Sequence, residues 1–287
     1  MSKYKFVEEY SIIWKVQTIC KVIEVSRSGY YRWVKENRNE NRKGDTEIAV
    51  KIAEVFQQSR RTYGARRIRH ELAKKRMRIK ERRISRLMKE MGLKVKTKKK
   101  FKITTDSDHK LAIVPNLLEK AEKPESPNKI WVGDITYIWT REGWLYLAVV
   151  MDLWSRKIVG WCLSIKIDKE LVMEALKRAI WSRKNEPGLI FHSDKGRQYA
   201  SNDYRALLEK NSIVQSMSGK GKCYDNAAQE SFFHTLKTEV VYQQVYNTRK
   251  EAELSLFEYI ECFYNRKRIH SSLGYMSPDS FEVENVR

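Results

Sequence analysis

Between residues 129 and 164 the chain carries three β-rich runs joined by tight turns, and no other feature constrains its fold as much. Residues 129–140 (KIWVGDITYIWT) are dense in β-branched and aromatic side chains, and Arg141-Glu142-Gly143 supplies a turn. Residues 144–152 (WLYLAVVMD) read as a buried strand, 153–155 as a second turn, and 156–164 as a third strand. Connections this short leave an antiparallel meander as the expected arrangement. A helix is predicted over 168–183 from the stripe Leu171, Val172, Ala175, Leu176 and Ala179, and Pro187-Gly188 ends it. Residues 188–192 then read as a strand, 202–210 as a helix, 212–217 as a strand, and a long helix starts near Asp225. The order β-β-β-α-β-α-β-α is that of an RNase H-like α/β fold, a mixed five-stranded sheet with flanking helices, although periodicity alone leaves the pairing of the strands open.

The half before this block is different in kind. Residues 1–120 hold 33 basic and 14 acidic residues, whereas the remaining 167 residues are close to neutral. The net charge of +21 therefore sits almost wholly in the first part, which calls for a polyanionic partner, DNA above all. Apolar residues recur at helical spacing over 11–35, where SRSGYYRW (residues 26–33) adds a Ser/Gly turn, so residues 1–44 read as a helical hairpin or partial helix-turn-helix with a polar linker at 36–44. Residues 45–95 read as a basic helical DNA-binding segment. Ile48, Ile52, Val55, Phe56, Ile68, Leu72, Ile84, Leu87, Met88 and Met91 form its apolar faces, and Gly92 stops it. Arg66, Arg67 and Arg69 lie off those faces, as candidates for phosphate contact. Residues 96–128, with Lys98-Lys99-Lys100 and Pro115, Pro124 and Pro127, have the composition of a linker, and 129–287 form the catalytic core with a C-terminal extension.

Other classes are excluded on simple grounds. The longest uncharged apolar stretch, residues 143–151, is far short of the roughly 20 residues that a membrane span needs. No secretory leader is visible, and the four cysteines show no CxxC pair, so a cytoplasmic, nucleoid-associated protein without zinc is expected.

Three carboxylates stand out by position. Asp134 lies mid-strand among apolar residues, where an unpaired charge is costly. Asp194 directly follows the fourth strand in HSDKGRQY, and Glu230 sits on the last major helix in NAAQESFFHTLKTE. On the helix wheel Asn226, His234 and Lys237 share the face of Glu230, while Phe232, Phe233, Leu236 and Val240 form the packing face. Three carboxylates from separate elements make a hard oxygen cage for Mg2+, of the type that clamps an in-line phosphoryl displacement. Lys237 is a candidate for the phosphate near the cut. Tyr199 and the stretch SGKGK, with Lys220 and Lys222, are expected in a DNA-facing loop; Arg266, Arg268 and His270 are candidates for DNA phosphates. Asp152 reads as a turn residue, His192 as a packed strand end, and Tyr264, Leu273 and Tyr275 as structural.

The blocks WVGDITYI, GWLYLAVVMDLWSRKIVGW, HSDKGRQY, NAAQESFFHTLKTE and YNRKRIHSSLGYMSP occur in order, with 35 residues between Asp194 and Glu230. This resembles the catalytic region of insertion-sequence transposases of the IS-three family, which are close in fold to retroviral integrases. TYGARRIRHEL and ISRLMKEMGL resemble that family's helical DNA-binding segment. The resemblance implies a DDE recombinase with Asp134, Asp194 and Glu230 as its triad and Lys237 as its basic residue. It implies Mg2+, with Mn2+ able to substitute, nicking at terminal inverted repeats, and direct attack of the freed 3′-OH on DNA. It also implies the second-reading-frame product, a homo-multimer on paired ends, and a first-frame partner or fusion carrying a helix-turn-helix and leucine zipper. Two other readings stay open on the residues: a same-fold nuclease that cuts without joining, and a catalytically silent DNA-binding regulator of transposition.

Overall fold

A computed structural model describes residues 3–37, 40–96, 114–120, 122–183, 187–218 and 227–285. The chain divides into two compact units, residues 1–58 with 64–94, and residues 59–63 with 95–287.

The first unit is all helical: α1 (Lys3–Tyr10), α2 (Val16–Val22), α3 (Arg27–Asn37), α4 (Glu40–Gln58), α5 (Ala65–Lys74) and α6 (Glu81–Glu90). Val7, Ile19, Cys20 and Tyr30 tie the first three helices together, and the rings of Tyr4 and Trp33 pack on them. The Ser26 side chain accepts from the Gly29 backbone N–H at 2.8 Å and so starts α3. In α4 to α6 the buried residues Ile52, Phe56, Ile68, Leu72, Ile84 and Leu87 fall on the faces that periodicity marked out. Asp45 binds Arg83 at 2.6 Å and Arg86 at 2.7 Å, joining α4 to α6. Burial alone would raise the Asp45 carboxyl; the hydrogen bonds from Arg86 and Arg83 outweigh it and hold it below its usual range. Past α6, Gly92 adopts φ +64°, and the N–H of Leu93 reaches back to the Met88 carbonyl.

Two features differ from expectation. Residues 36–44, read as a linker, belong to the end of α3 and the start of α4, apart from 38–39, which lie outside the described residues. Their Glu, Arg and Lys residues are good helix formers without an apolar stripe, so periodicity could not reveal them. The hairpin of residues 11–35 is preceded by α1, whose single buried residue, Val7, makes no readable pattern.

The second unit is built on a five-stranded sheet in the order β3-β2-β1-β4-β5. Its strands are β1 (Ile130–Thr140), β2 (Gly143–Asp152), β3 (Ile158–Ser164), β4 (Ile190–Ser193) and β5 (Val214–Met217). β1, β2 and β3 form the antiparallel meander, and β1, β4 and β5 pair in parallel. This is the mixed sheet expected of an RNase H-like core. α7 (Lys169–Ser182) and α8 (Asn202–Lys210) cover one face, capped by Asp168 and Ser201, whose side chains accept from Leu171 and Tyr204 N–H groups. Trp131, Ala148, Phe191, Leu176 and Tyr204 meet in that layer. At Gly160 a Cβ would stand 2.4 Å from the Ala175 carbonyl oxygen, so only glycine lets α7 lie this close to β3. α9 (Ala227–Glu239) and α10 (Arg249–Phe257) pack against β1. A π-helical turn, Glu258–Tyr264, continues α10, and α11 (Pro278–Asn285) closes the described chain.

Asp152 is the turn residue that the sequence suggested. It is fully buried and accepts from the backbone N–H groups of Asn128 (2.7 Å), Trp154 (2.9 Å) and Ser155 (3.2 Å). Of the expected linker, residues 97–113 and 121 lie outside the described residues. Residues 114–117 run beside β5, where Leu117 N–H donates to Ser216 Oγ at 2.9 Å. Among the described residues no helix is long and apolar enough to cross a membrane. Cys20, Cys162 and Cys262 are free thiols, and Cys223 lies outside the described residues.

Candidate active site

The register of two parallel strands brings the first two carboxylates together. β1 and β4 pair from Ile130↔Ile190 to Gly133↔Ser193, and there β4 ends. Asp134 and Asp194 are the next residues of the two strands, whose neighbouring backbones lie about 4.8 Å apart. They stand at the carboxyl end of the parallel pair, where open α/β sheets place their ligands. The Asp134 carboxylate accepts from the adjacent Ile135 N–H at 2.7 Å. Asp194 Oδ1 accepts from Gly196 N–H at 2.9 Å, so the residue is also the turn former that its sequence position allowed. A Cβ on Gly196 would stand 2.9 Å from that same oxygen, which explains the glycine.

The third carboxylate comes on α9. Phe232, Phe233, Leu236 and Val240 are buried as the helix wheel indicated, and Glu230 is exposed on the first turn. The residue before it was not foreseen. Gln229 is fully buried, and its Nε2 donates at 3.0 Å to the carbonyl oxygen of Val149, the register partner of Asp134. The turn that carries Glu230 is thereby pinned to the strand beside Asp134. A glutamine in a helix reads as surface, and only its place one step from Glu230 hinted otherwise.

Electrostatics couple the three positions. Burial pushes the Asp134 carboxyl up to about 8, with the charges of Asp194 and Glu230 adding to the rise; the Ile135 N–H and Lys237 oppose it. Burial lowers Lys237, and the charge of Asp134 partly restores it. Lys237 is 8% exposed, and its ammonium lies 4.5 Å from the centre of the Tyr137 ring. Among the described residues no three His, Cys, Asp or Glu side chains are already drawn into a metal-holding group. The donor set nonetheless fits a hard dication: its oxygens are carboxylate, and their mutual repulsion is what a divalent ion would relieve.

The shift has a measurable consequence. A carboxyl held at about 8 in the folded state and at 3.8 in the unfolded state disfavours folding as pH rises between those values. Asp134→Asn in a chelator is therefore expected to stabilise the metal-free protein at pH 8 by about 1–2 kcal/mol, after discounting for solvent screening of a half-buried group. Urea unfolding at pH 4 and pH 8 checks this, and the gain should vanish at the lower pH.

The remaining sequence candidates divide. Arg66 and Arg69 on α5 and Arg266 after the π-helical turn are exposed, and Arg67 is half-buried. Asn226, Lys220 and Lys222 lie outside the described residues. Tyr199, expected in a DNA-facing loop, is 2% exposed and packs edge-on against Tyr204 beneath the site. Burial first, then Tyr204, Asp134 and Asp194, raise its hydroxyl well above its ordinary value. Arg268, expected at DNA phosphates, is 4% exposed and grips the buried Glu239 through Nε and Nη2, at 3.0 and 2.8 Å. Tyr259 donates its hydroxyl to the same carboxylate at 2.8 Å. Burial works against the charge of Arg268, and Glu239 more than offsets it, holding the guanidinium protonated. Both residues are therefore corrected from DNA ligands to parts of the interior. His270 is half-buried, with its ring against Tyr264. His192 is buried against Ser216 at 2.9 Å, and Tyr264 and Leu273 are buried, all three as packing residues.

Comparison with known proteins places the chain in a family. Residues 124–223 and 230–286 each match an integrase core domain family, and residues 43–101 match the HTH-like domain family. Among solved structures, an intasome of simian T-cell lymphotropic virus gives a TM-score of 0.48 at 15% identity, covering 61% of this chain and 60% of that one. The HTLV-2 integrase catalytic core domain in complex with magnesium gives 0.42 at 16% identity, over 55% of this chain and 97% of that one. Among curated relatives, the insertion element IS600 31 kDa protein of Shigella sonnei is 44% identical, over 92% of this chain and 97% of its own length. The transposase InsF for insertion sequence IS3A of Escherichia coli is 39% identical, over 99% of both chains. With near-complete coverage at these identities, and with the HTH-like and integrase core domains in sequence, the chain belongs to the IS3 family of insertion-sequence transposases.

Proposed function

We propose that this chain is a DNA transposase that cuts at the ends of its element and joins the freed 3′-OH to target DNA by in-line phosphoryl transfer. Asp134, Asp194 and Glu230 hold the divalent ions, Mg2+ by preference with Mn2+ as substitute. The observation that carries the reading is the register of β1 and β4, which sets Asp134 beside Asp194 at the carboxyl end of the parallel pair, with Gln229 pinning the turn of Glu230 to the adjoining strand. A structural role would be poorly served by three like charges brought together. When bound, such ions supply activation of water or a 3′-hydroxyl and neutralise charge on the leaving oxygen.

The chain's own residues do the rest. Asp134 offers a donor from within β1 and Asp194 one from just past the end of β4, and Glu230 adds a third from the turn that Gln229 pins to β2. Lys237, beside Asp134, offers its ammonium to the phosphate next to the cut. Arg66, Arg67 and Arg69 on α5, Arg266, and Asn226, Lys220 and Lys222 hold the DNA backbone, which makes binding steeply salt-dependent. The chain works as a homo-multimer on paired terminal repeats and, for end recognition, with a first-frame helix-turn-helix partner, in the cytoplasm on nucleoid DNA.

The test supplies pre-cut donor ends with Mg2+ and a supercoiled target, with and without the first-frame partner. Joined product is expected. Cut target without joining would favour the same-fold nuclease. Binding with neither product, even with the partner present, would favour the silent regulator and end the proposal.

A further inference from the structure

The tip of the β1–β2 hairpin carries large aromatic rings where packing does not call for them. Trp139 is 55% exposed and Trp144 43% exposed. The two are direct partners across the hairpin, and their rings meet edge-on at 4.7 Å. Trp144 also meets the Tyr137 ring edge-on at 5.1 Å. A cross-strand aromatic pair stabilises a hairpin, but it does so as well when covered, and here both indoles keep open surface. β4 stops pairing at Gly133, so the hairpin projects beyond it.

Tyr137 and Trp139 alternate with Asp134 along β1 and so leave the strand on its other face, and Lys237 joins them to the acidic site. The Lys237 ammonium lies over the Tyr137 ring and within electrostatic reach of Asp134. Along β1, Tyr137 is about 10 Å and Trp139 about 16 Å from Asp134, at about 3.3 Å per residue. That is the span of a few nucleotides. The surroundings are cationic: Arg141 is exposed at the turn, and the Arg249 guanidinium approaches the Gly143 position within 3.0 Å of where a Cβ would stand. Glu142 is the acidic residue of the turn, and it accepts from the Arg249 backbone N–H at 2.7 Å. Aromatic faces flanked by Lys and Arg suit unpaired nucleotides, whose bases stack while their phosphates meet the cations. A second copy of this chain would bring the same cations against themselves.

We propose that Trp139 and Trp144, with Tyr137 beneath Lys237, form a stacking platform for unpaired bases of a DNA end entering the active site. The inference rests on the transposase reading and names where the end is held open. It assigns a binding role to residues outside the acidic triad and its lysine.

The test uses the full chain, a 20-base-pair duplex with a five-thymidine 3′ overhang carrying one 2-aminopurine, and the matching blunt duplex. The wild type should bind the overhang duplex about tenfold more tightly than the blunt one and quench the 2-aminopurine. Trp139→Ala, at an exposed position, and the double variant with Trp144→Ala should lose that preference and the quenching. Their affinity for the blunt duplex should change less than twofold. Trp139→Phe should keep most of the preference. No preference in the wild type, or full preference and quenching in Trp139→Ala, would overturn the proposal. So would a change of oligomeric state in Trp139→Ala with DNA affinities unaltered, since that result makes the tip a contact between copies. Glu230→Gln, run alongside, should keep the overhang preference. If it also kept cleavage, the triad reading would fail while the platform stood.

Discussion

Glu230→Gln is expected to reduce strand cleavage and joining at least about a thousandfold while DNA affinity stays within about twofold. The amide keeps the size of the side chain and removes the charge that the site needs. Glu230 is exposed on a turn fixed by Gln229, Phe232 and Leu236, so the fold should not notice the change. A gel-shift titration and a denaturing gel of end-labelled DNA with Mg2+ separate the two effects. If the three carboxylates act on one reaction centre, as proposed, combining Glu230→Gln with Asp134→Asn should cost no more activity than either alone. Multiplying losses would mean that the residues act independently.

The second large effect is on stability. Arg268→Ala should destabilise the second unit by about 3–5 kcal/mol, because it leaves the Glu239 carboxylate buried without its cation. The pair's side chains are 5% and 8% exposed, and the Tyr259 hydroxyl cannot replace a charge. Replacing both partners, Arg268→Met with Glu239→Leu, should recover most of the loss. Urea unfolding checks the order wild type, double variant, single variant. An Arg268→Ala protein that folds normally but binds DNA weakly would restore the phosphate role that its sequence suggested.

The strands and helices of the second unit declared themselves because their apolar residues recur with periods of 2 and 3.6, and because Asp168 and Ser201 occupy clear cap positions. The order of the strands in the sheet was not legible, as periodicity carries no pairing information. Asp134 was legible because a charge mid-strand is anomalous. Arg268 was misread because a basic run looks solvated, and nothing local announces a partner at Glu239, 29 positions away. Tyr199 was misread for a related reason: its neighbours in HSDKGRQY are polar, while the ring turns inward onto Phe191 and Tyr204. Lys237 was placed on the correct helix face, but its burial depends on Tyr137, which only the fold brings over. Glu239 gave no signal at all, and Gln229 only its place beside Glu230, since a polar helix residue is ordinarily exposed.

The claim on which the rest depends is that Asp134, Asp194 and Glu230 form a single site for divalent ions. Titrating Mn2+ into the DNA-bound chain, with the free ion followed by electron paramagnetic resonance, tests it without requiring turnover. Wild type should take up Mn2+, and Asp134→Asn, Asp194→Asn and Glu230→Gln should each weaken uptake at least about tenfold. Wild-type Mn2+ uptake by all three variants would contradict the account.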